Sequence, residues 1–423
     1  MKLQKIKKIS FDYKWVIVGL CFVMVFTCLG FCSSTKSLFV AAVTKATGIS
    51  RTAFSLNDSC RYISTSIINI FFGTLVYRFG TKKLIGAGFL SLVIAFLIYS
   101  VANHFLMFCV GGCFLGIGLA WTTTTMVGCV VNKWCKESKG TIMGAILAAN
   151  GLGGALATQI VSPVIYQEGN TYGYKTAYFL IAMVLLCVGA VVMIFFREEP
   201  KEESERNTIK TEKKKRGDYW EGVEYSQITK KVYFYGSLVC IFLTGCVLQG
   251  ITGISAVYMK DVGLSAKFIA IVLSIHSLTL SLFKFLTGII YDRFGLRITT
   301  SICSVTGTMV FIALLFVSDS PVGKVLAIIY GVFASLALPL ETIMLPIFAG
   351  DLFGRKSFNE VLGVFVSVNT AGYALGAPAV NLCYDLFGSY RIALLISVIL
   401  LSVSTIYMQF VISASRKDRK LLK

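Results

Sequence analysis

Charge is what this chain has least of. Asp, Glu, Lys and Arg make up only 14% of its 423 residues, against 56% hydrophobic, and the mean hydropathy is +0.76. A soluble protein of this length needs far more polar surface. Histidine is almost absent, with His104 and His276 the only two. The 13 cysteines contain no CxxC pair and fall almost entirely in apolar stretches. They read as buried small hydrophobes rather than a disulfide framework or a zinc site. No nucleotide-binding loop, metal cluster or nucleophile–base pairing is visible, so neither an enzyme nor a cofactor is expected.

What remains is apolar sequence in long runs. Stretches of about 20 apolar residues are the length that crosses a hydrocarbon core of roughly 30 Å. Twelve candidates follow one another, at about 14–43, 52–77, 83–102, 105–130, 140–165, 175–196, 232–259, 265–291, 297–318, 322–349, 358–386 and 390–414. The fold class is therefore all-α and polytopic. The basic start MKLQKIKK precedes an apolar stretch too long for a signal core, and reads as the entry to a first membrane helix.

Acidic residues are also scarce, 21 against 40 basic, for a net charge of +19. In a soluble chain that excess would suggest nucleic acid. Here the cations gather at the N-terminus, in alternate connections (Arg78, Lys82, Lys83; Lys133, Lys136, Lys139; Arg293, Arg297; Arg355, Lys356) and in the tail RKDRKLLK. The opposite connections carry fewer, Lys175 and Lys324 among them. That is the positive-inside pattern, with both termini cytoplasmic in the cell membrane. The bilayer is the expected partner of this charge, through anionic lipid, and nucleic acid is not.

One long polar segment, Arg197 to Lys231, mixes both charges with few apolar residues and reads as a solvated linker, with a short helix near DYWEGVEY. It divides the chain into 1–196, 197–231 and 232–423: six helices, linker, six helices and a short basic tail. The halves repeat. A shift of 215 lays Gly73 on Gly288 and Arg78-Phe-Gly80 on Arg293-Phe-Gly295; a shift of 219 lays Gly144, Asn150 and Gly153 on Gly363, Asn369 and Gly372. Parallel repeats are typical of transporters whose site lies between them near the midplane.

The segments GTLVYRFGTKK and GIIYDRFGLR, from Gly73 and Gly288, resemble the paired loop motif of the major facilitator superfamily, and the resemblance covers essentially the whole chain. It implies two six-helix bundles that rock around a central cavity. Gly73 and Gly288 permit close helix packing. Arg78, Asp292 and Arg293 are the expected gating charges, with merely solvated turns as the alternative reading of both loops. Tyr77 stands where the second copy has Asp292, which leaves Asp292 as the expected acidic latch.

A narrower resemblance is to the monocarboxylate carriers and oxalate/formate exchangers. They place an arginine four residues before the motif glycine in helix 8, where Lys284 stands here, and it engages the substrate carboxylate. The segment Asn132 to Gly154 is also similar, and Lys36 lies one residue out of step with a lysine of the monocarboxylate carriers. The acidic helix 8 residue of those carriers is missing, with Leu273 in that region, and helix 11 lacks the exchangers' cation.

Ser274, Ser277, Ser281 and Lys284 share one helical face. Lys284 is about 10 Å from the predicted cytoplasmic end, so snorkelling competes with a cavity role. Glu341 aligns with Thr122 in the run WTTTT and is the candidate proton carrier, or else a structural partner of Lys284, Arg61 or Lys36. Arg61, with Asp58 three residues before it, reads equally as a local ion pair. Asn150 and Asn369 are candidate substrate ligands or interhelical hydrogen-bonders, and His276 lies off the serine face as a packed residue. Pro339 and Pro346 are expected to bend helix 10.

The expected function is secondary active transport of a small organic anion, a monocarboxylate above all, by a monomer coupled to a proton or a counter-anion. Lys36, Lys284, Ser277, Ser281, Asn150 and Asn369 are the expected substrate residues. Efflux of a neutral or cationic compound, and a transporter-like solute sensor, are the alternatives.

Overall fold

The computed structural model describes residues 13–49, 51–135, 137–165, 172–198 and 222–421. The N-terminal lysines and residues 199–221 of the linker lie outside them. Nearly everything described is helical, and the one β-bridge among the described residues joins Gly222 to Gly354.

The first six spans are α1 (Tyr13–Leu29, continued as Lys36–Thr47), α2 (Arg51–Ile70, continued as Phe72–Phe79), α3 (Thr81–Val101), α4 (Phe105–Thr122, continued as Thr124–Trp134), α5 (Lys139–Ile165) and α6 (Gly173–Phe195). A short helix at Tyr225–Ile228 precedes α7 (Val232–Asp261). The helix Ala266–Leu315 holds two spans, α8 and α9, parted at Gly295, whose φ of 76° a glycine adopts at no steric cost. Then come α10 (Pro321–Phe333, resuming as Met344–Phe353), α11 (Phe358–Phe387) and α12 (Tyr390–Leu421). Ten described helices are long and apolar enough to cross a membrane. One of them is the double span, and α2, diluted by Asp58 and Arg61, falls outside the ten by composition; together these give twelve.

The helices form two groups of six. Many large apolar side chains, Ile194, Leu278, Ile399 and Phe410 among them, remain exposed, as they do where hydrocarbon rather than water is the solvent. The groups meet along two seams, α5 against α8 and α2 against α11. Lipid gives apolar faces little reason to associate, so close backbone approach supplies the cohesion, and small residues permit it. A Cβ on Gly144 would come within 2.7 Å of the Lys284 carbonyl, and one on Gly73 within 2.8 Å of the Glu360 backbone nitrogen.

Four spans are irregular. In α1 a π-turn occupies Gly30–Ser34. α2 is interrupted at Phe71. α4 breaks at Thr123 (φ −121°, ψ −138°) and α10 at Thr342 (φ −128°, ψ −76°). Thr123 and Thr342 correspond under the 219-residue shift, so both halves break the same helix at the same place. In α10 the segment between the α-helical parts runs as two 3-10 turns, Ala334–Leu336 and Leu338–Glu341, because Pro339 and Pro346 remove donors from the helical ladder. Irregular backbone at membrane depth is tolerated where it lines a cavity.

Candidate functional site

The breaks surround a cavity of about 310 Å³ between the two halves. α1, α2, α4 and α5 contribute Ser33, Arg61, Tyr62, Thr65, Asn69, Thr123–Thr125 and Asn150; α7, α8, α10 and α11 contribute Gln249, Lys284, Glu341, Thr342, Asn369 and Tyr373. The two cations come from opposite halves. Lys284 is 5% exposed, Glu341 5% and Arg61 8%, and buried charges of this kind occur where they have partners or a ligand. Lys284 and Glu341 both line the cavity and do not close into an ion pair. Snorkelling does not describe Lys284, which is buried beside the cavity.

Arg61 is held from three sides. Its Nη1 donates to Ser33 Oγ at 3.3 Å, its Nη2 lies 3.7 Å from Asp58, and its guanidinium sits 4.4 Å over the Tyr62 ring, a favourable cation–π arrangement. Tyr62 meets Tyr373 edge-on at 5.9 Å across the α2/α11 seam. Three buried atoms of cavity residues, Asn69 Oδ1, Glu341 Oε1 and Thr342 Oγ1, have no hydrogen-bond partner in the protein. Such atoms are costly unless water or a ligand satisfies them.

The sequence expectations divide here. Lys284, Glu341, Asn150 and Asn369 reach the cavity. Asn150 also accepts from Ser34 Oγ at 3.3 Å, and Asn369 Nδ2 donates to the Ile241 carbonyl at 3.3 Å. Lys36 does not line it: the residue forms an ion pair with Asp58 and borders a separate small pocket. Ser277 and Ser281 are also elsewhere. Ser277 Oγ returns to the Leu273 carbonyl at 3.0 Å, and Ser281 Oγ lies against Gly151 of α5. Ser281 is turned to α5, whose Gly151 lets it approach, and Ser277 is exposed. His276 is buried and stacks on Tyr330 at 6.3 Å. Spacing gave no notice of Tyr62, Tyr373 or Gln249; the match between WTTTT and Glu341 was the one available signal for the paired breaks.

At the end that carries the basic connections, the seams are closed. Asp292, near the end of α8, accepts from the backbone nitrogens of Gly140 (3.0 Å) and Thr141 (2.7 Å). Those are among the first N–H groups of α5, which no intrahelical carbonyl can satisfy, and a carboxylate there also meets the positive end of the helix dipole. The expected cluster of Asp292 with basic side chains is thus replaced by a cap across the seam. Arg293 is exposed, and Arg78 is exposed with its guanidinium 5.5 Å from the Phe79 ring. Tyr77, the counterpart of Asp292, is 92% exposed and caps nothing; Glu360 occupies the first turn of α11 instead.

Nearer the membrane middle the asymmetry reverses. Ser66 Oγ donates to the Ser367 carbonyl at 3.0 Å and Ser367 Oγ to the Ser66 carbonyl at 2.7 Å. Under the repeat, Ser66 corresponds to Ser281 and Ser367 to Ala148, so the α5/α8 seam lacks this clasp.

Twelve membrane helices in two groups of six around a charged central cavity define a helical membrane transporter rather than an enzyme. The chain belongs to the Major Facilitator Superfamily, whose sequence profile matches residues 19–275 and 237–423. It is 20% identical over 412 residues to the uncharacterized MFS-type transporter YcxA of Bacillus subtilis (strain 168), covering 93% of this chain and 94% of that one. It is 22% identical over 326 residues to multidrug resistance protein 2 of the same organism, with 77% and 78% covered. Two solved structures share the fold. The E. coli fucose:proton symporter FucP superposes with a TM-score of 0.70 at 15% identity over 95% of this chain and 99% of that one. The proton:xylose symporter XylE gives 0.71 at 13% identity, with 94% of each chain covered.

Proposed function

We propose that this transporter carries a small organic anion, a monocarboxylate above all, across the cell membrane by alternating access, with the basic end and both termini on the cytoplasmic side. The supporting observation is the charge of the cavity: Lys284 and Arg61 face it from opposite halves, and Glu341 is the single carboxylate among its lining residues. A carboxylate ligand bridges the two cations and draws the halves together around it. Lys36 acts on Asp58 and so on Arg61, not on the substrate. Glu341, with one buried oxygen lacking a partner, carries the coupled proton. A counter-anion is the other driving partner, and the transporter works as a monomer.

A second reading has one observation in its favour. Tyr62 and Tyr373 beside Glu341 form a surface that also suits an organic cation, and one relative is named as a multidrug resistance protein. Counterflow of labelled carboxylates, sugars and lipophilic cations through proteoliposomes separates the readings. Lys284→Gln is expected to abolish anion uptake while the protein still inserts and folds. Wild-type uptake by that variant would sink the carboxylate role.

A further inference from the structure

A second cavity, of about 410 Å³, lies at the basic end between the same two halves. It stands in series with the first along α4 and α10. The central cavity is bounded by Thr123–Thr125 and by Glu341, Thr342 and Leu345, the second by Gly128, Val131 and Asn132 and by Pro346, Ile347 and Asp351. The two sets follow each other closely, with Thr125 three residues before Gly128 and Leu345 directly before Pro346. The plug between them is narrow: a Cβ on Gly128 would meet Pro346 at 2.9 Å and Leu362 at 3.2 Å.

The chemistry of this cavity is cationic. Lys139 from the first half and Arg355 and Arg419 from the second line it, with Asp351 and Glu137 as the acids. Asp351 is already engaged: Tyr291 OH donates to it at 3.0 Å, and it interacts with Lys139, Arg416 and Arg419. Lys139 Nζ donates to Asn132 Oδ1. Lys139 and Arg355 line the same cavity from opposite halves and repel each other. Asp351 offsets part of this repulsion, and a further anion between the halves would offset more of it. The positive N-terminus of α5, which begins at Lys139, adds to the field.

We infer that this is a second anion site, present only while the basic end is closed, which takes a compact oxyanion (a carboxylate or a phosphate) between Lys139 on one half and Arg355 and Arg419 on the other. Because both halves contribute, a bound anion holds the basic end shut. Solute accumulating on that side therefore restrains further entry. The inference deepens the anion reading of the central cavity, yet its cations are different residues and can be tested apart from it.

The experiment uses the full chain in detergent, with sodium phosphate and sodium acetate as probes against sodium chloride of equal ionic strength. Thermal stability and the distance between labels on the two halves are the readouts. Wild type and Lys284→Gln are both expected to be stabilised and closed by the probes. Arg355→Gln with Arg419→Gln is expected to weaken the apparent affinity about 10- to 100-fold, the worth of charge-assisted hydrogen bonds, and Arg355→Lys to recover part of it. A second arm compares nanodiscs of phosphatidylglycerol and phosphatidylcholine in phosphate-free buffer. Closure by phosphatidylglycerol that needs the same arginines assigns the site to a lipid headgroup phosphate; closure by soluble probes alone assigns it to free anions. Stabilisation that survives loss of both arginines, that vanishes in Lys284→Gln, or that never occurs overturns the inference. Failure of anion uptake alongside arginine-dependent stabilisation would instead remove only the substrate reading.

Discussion

Removing the Asp292 carboxylate tests the closed seam most directly. The side chain accepts two backbone N–H groups of α5, at 3.0 and 2.7 Å, and these bonds exist only while the halves touch. Replacing a helix cap by alanine costs about 0.5–2 kcal/mol, typically about 1. The charge–dipole part at an exposed position contributes about 0.3–1 kcal/mol of this, and Asp292 is exposed. Asp292→Ala is therefore expected to favour the state open at the basic end by about 1–2 kcal/mol, a factor of roughly 5–30 in population. Asp292→Asn keeps an acceptor and loses only the charge, so its shift should stay below about 1 kcal/mol and shrink further in high salt. The assay is a distance distribution between spin labels at Lys133 and Lys417, exposed positions on opposite halves. Non-canonical amino acids should carry the labels, since 13 native cysteines preclude thiol chemistry. An unchanged distribution in Asp292→Ala refutes the latch, and an asparagine variant as open as the alanine one refutes the division between bond and charge.

Two further perturbations address the other seam. Tyr77→Asp alone is expected to give no tighter closure, because Glu360 stands in the first turn of α11 where α5 has Thr141; Tyr77→Asp with Glu360→Thr should supply the missing cap and recover about 1 kcal/mol in an Asp292→Ala background. A gain from Tyr77→Asp by itself contradicts this. Ser66→Ala and Ser367→Ala should each weaken closure by about 0.5–1.5 kcal/mol, and the double variant should cost clearly less than the sum, as expected for partners in one contact; strict additivity in the same distance measurement would argue that the serines act separately.

The sequence was legible wherever one physical rule governs one residue. Apolar length set the twelve spans, and the repeat singled out Asp292 as the lone acid of its motif. Its partner was not legible, because the groups it binds are backbone N–H donors whose need arises only once α5 exists. The serine face shows a second limit. Periodicity places Ser277, Ser281 and Lys284 on one side of α8, but the close approach of α5 at Gly151 takes Ser281 out of the cavity that Lys284 lines. Lys36 shows a third: a π-turn over Gly30–Ser34 alters the angular register, so a count of residues from Gly30 does not predict which way the lysine faces.

The two seams are fastened at different heights. One is pinned at its rim by Asp292, the other near the middle of the membrane by Ser66 and Ser367. Halves turning on equal hinges would load both seams alike; these halves cannot. The α2/α11 side has no cap at its lip, but Gly73 is packed hard on Glu360 there and the serine pair sits deeper, so a gap on that side must undo both, whereas the α5/α8 side is held at its edge by Asp292. Loss of the Asp292 cap therefore unfastens one seam alone, and leaves the other stapled halfway down.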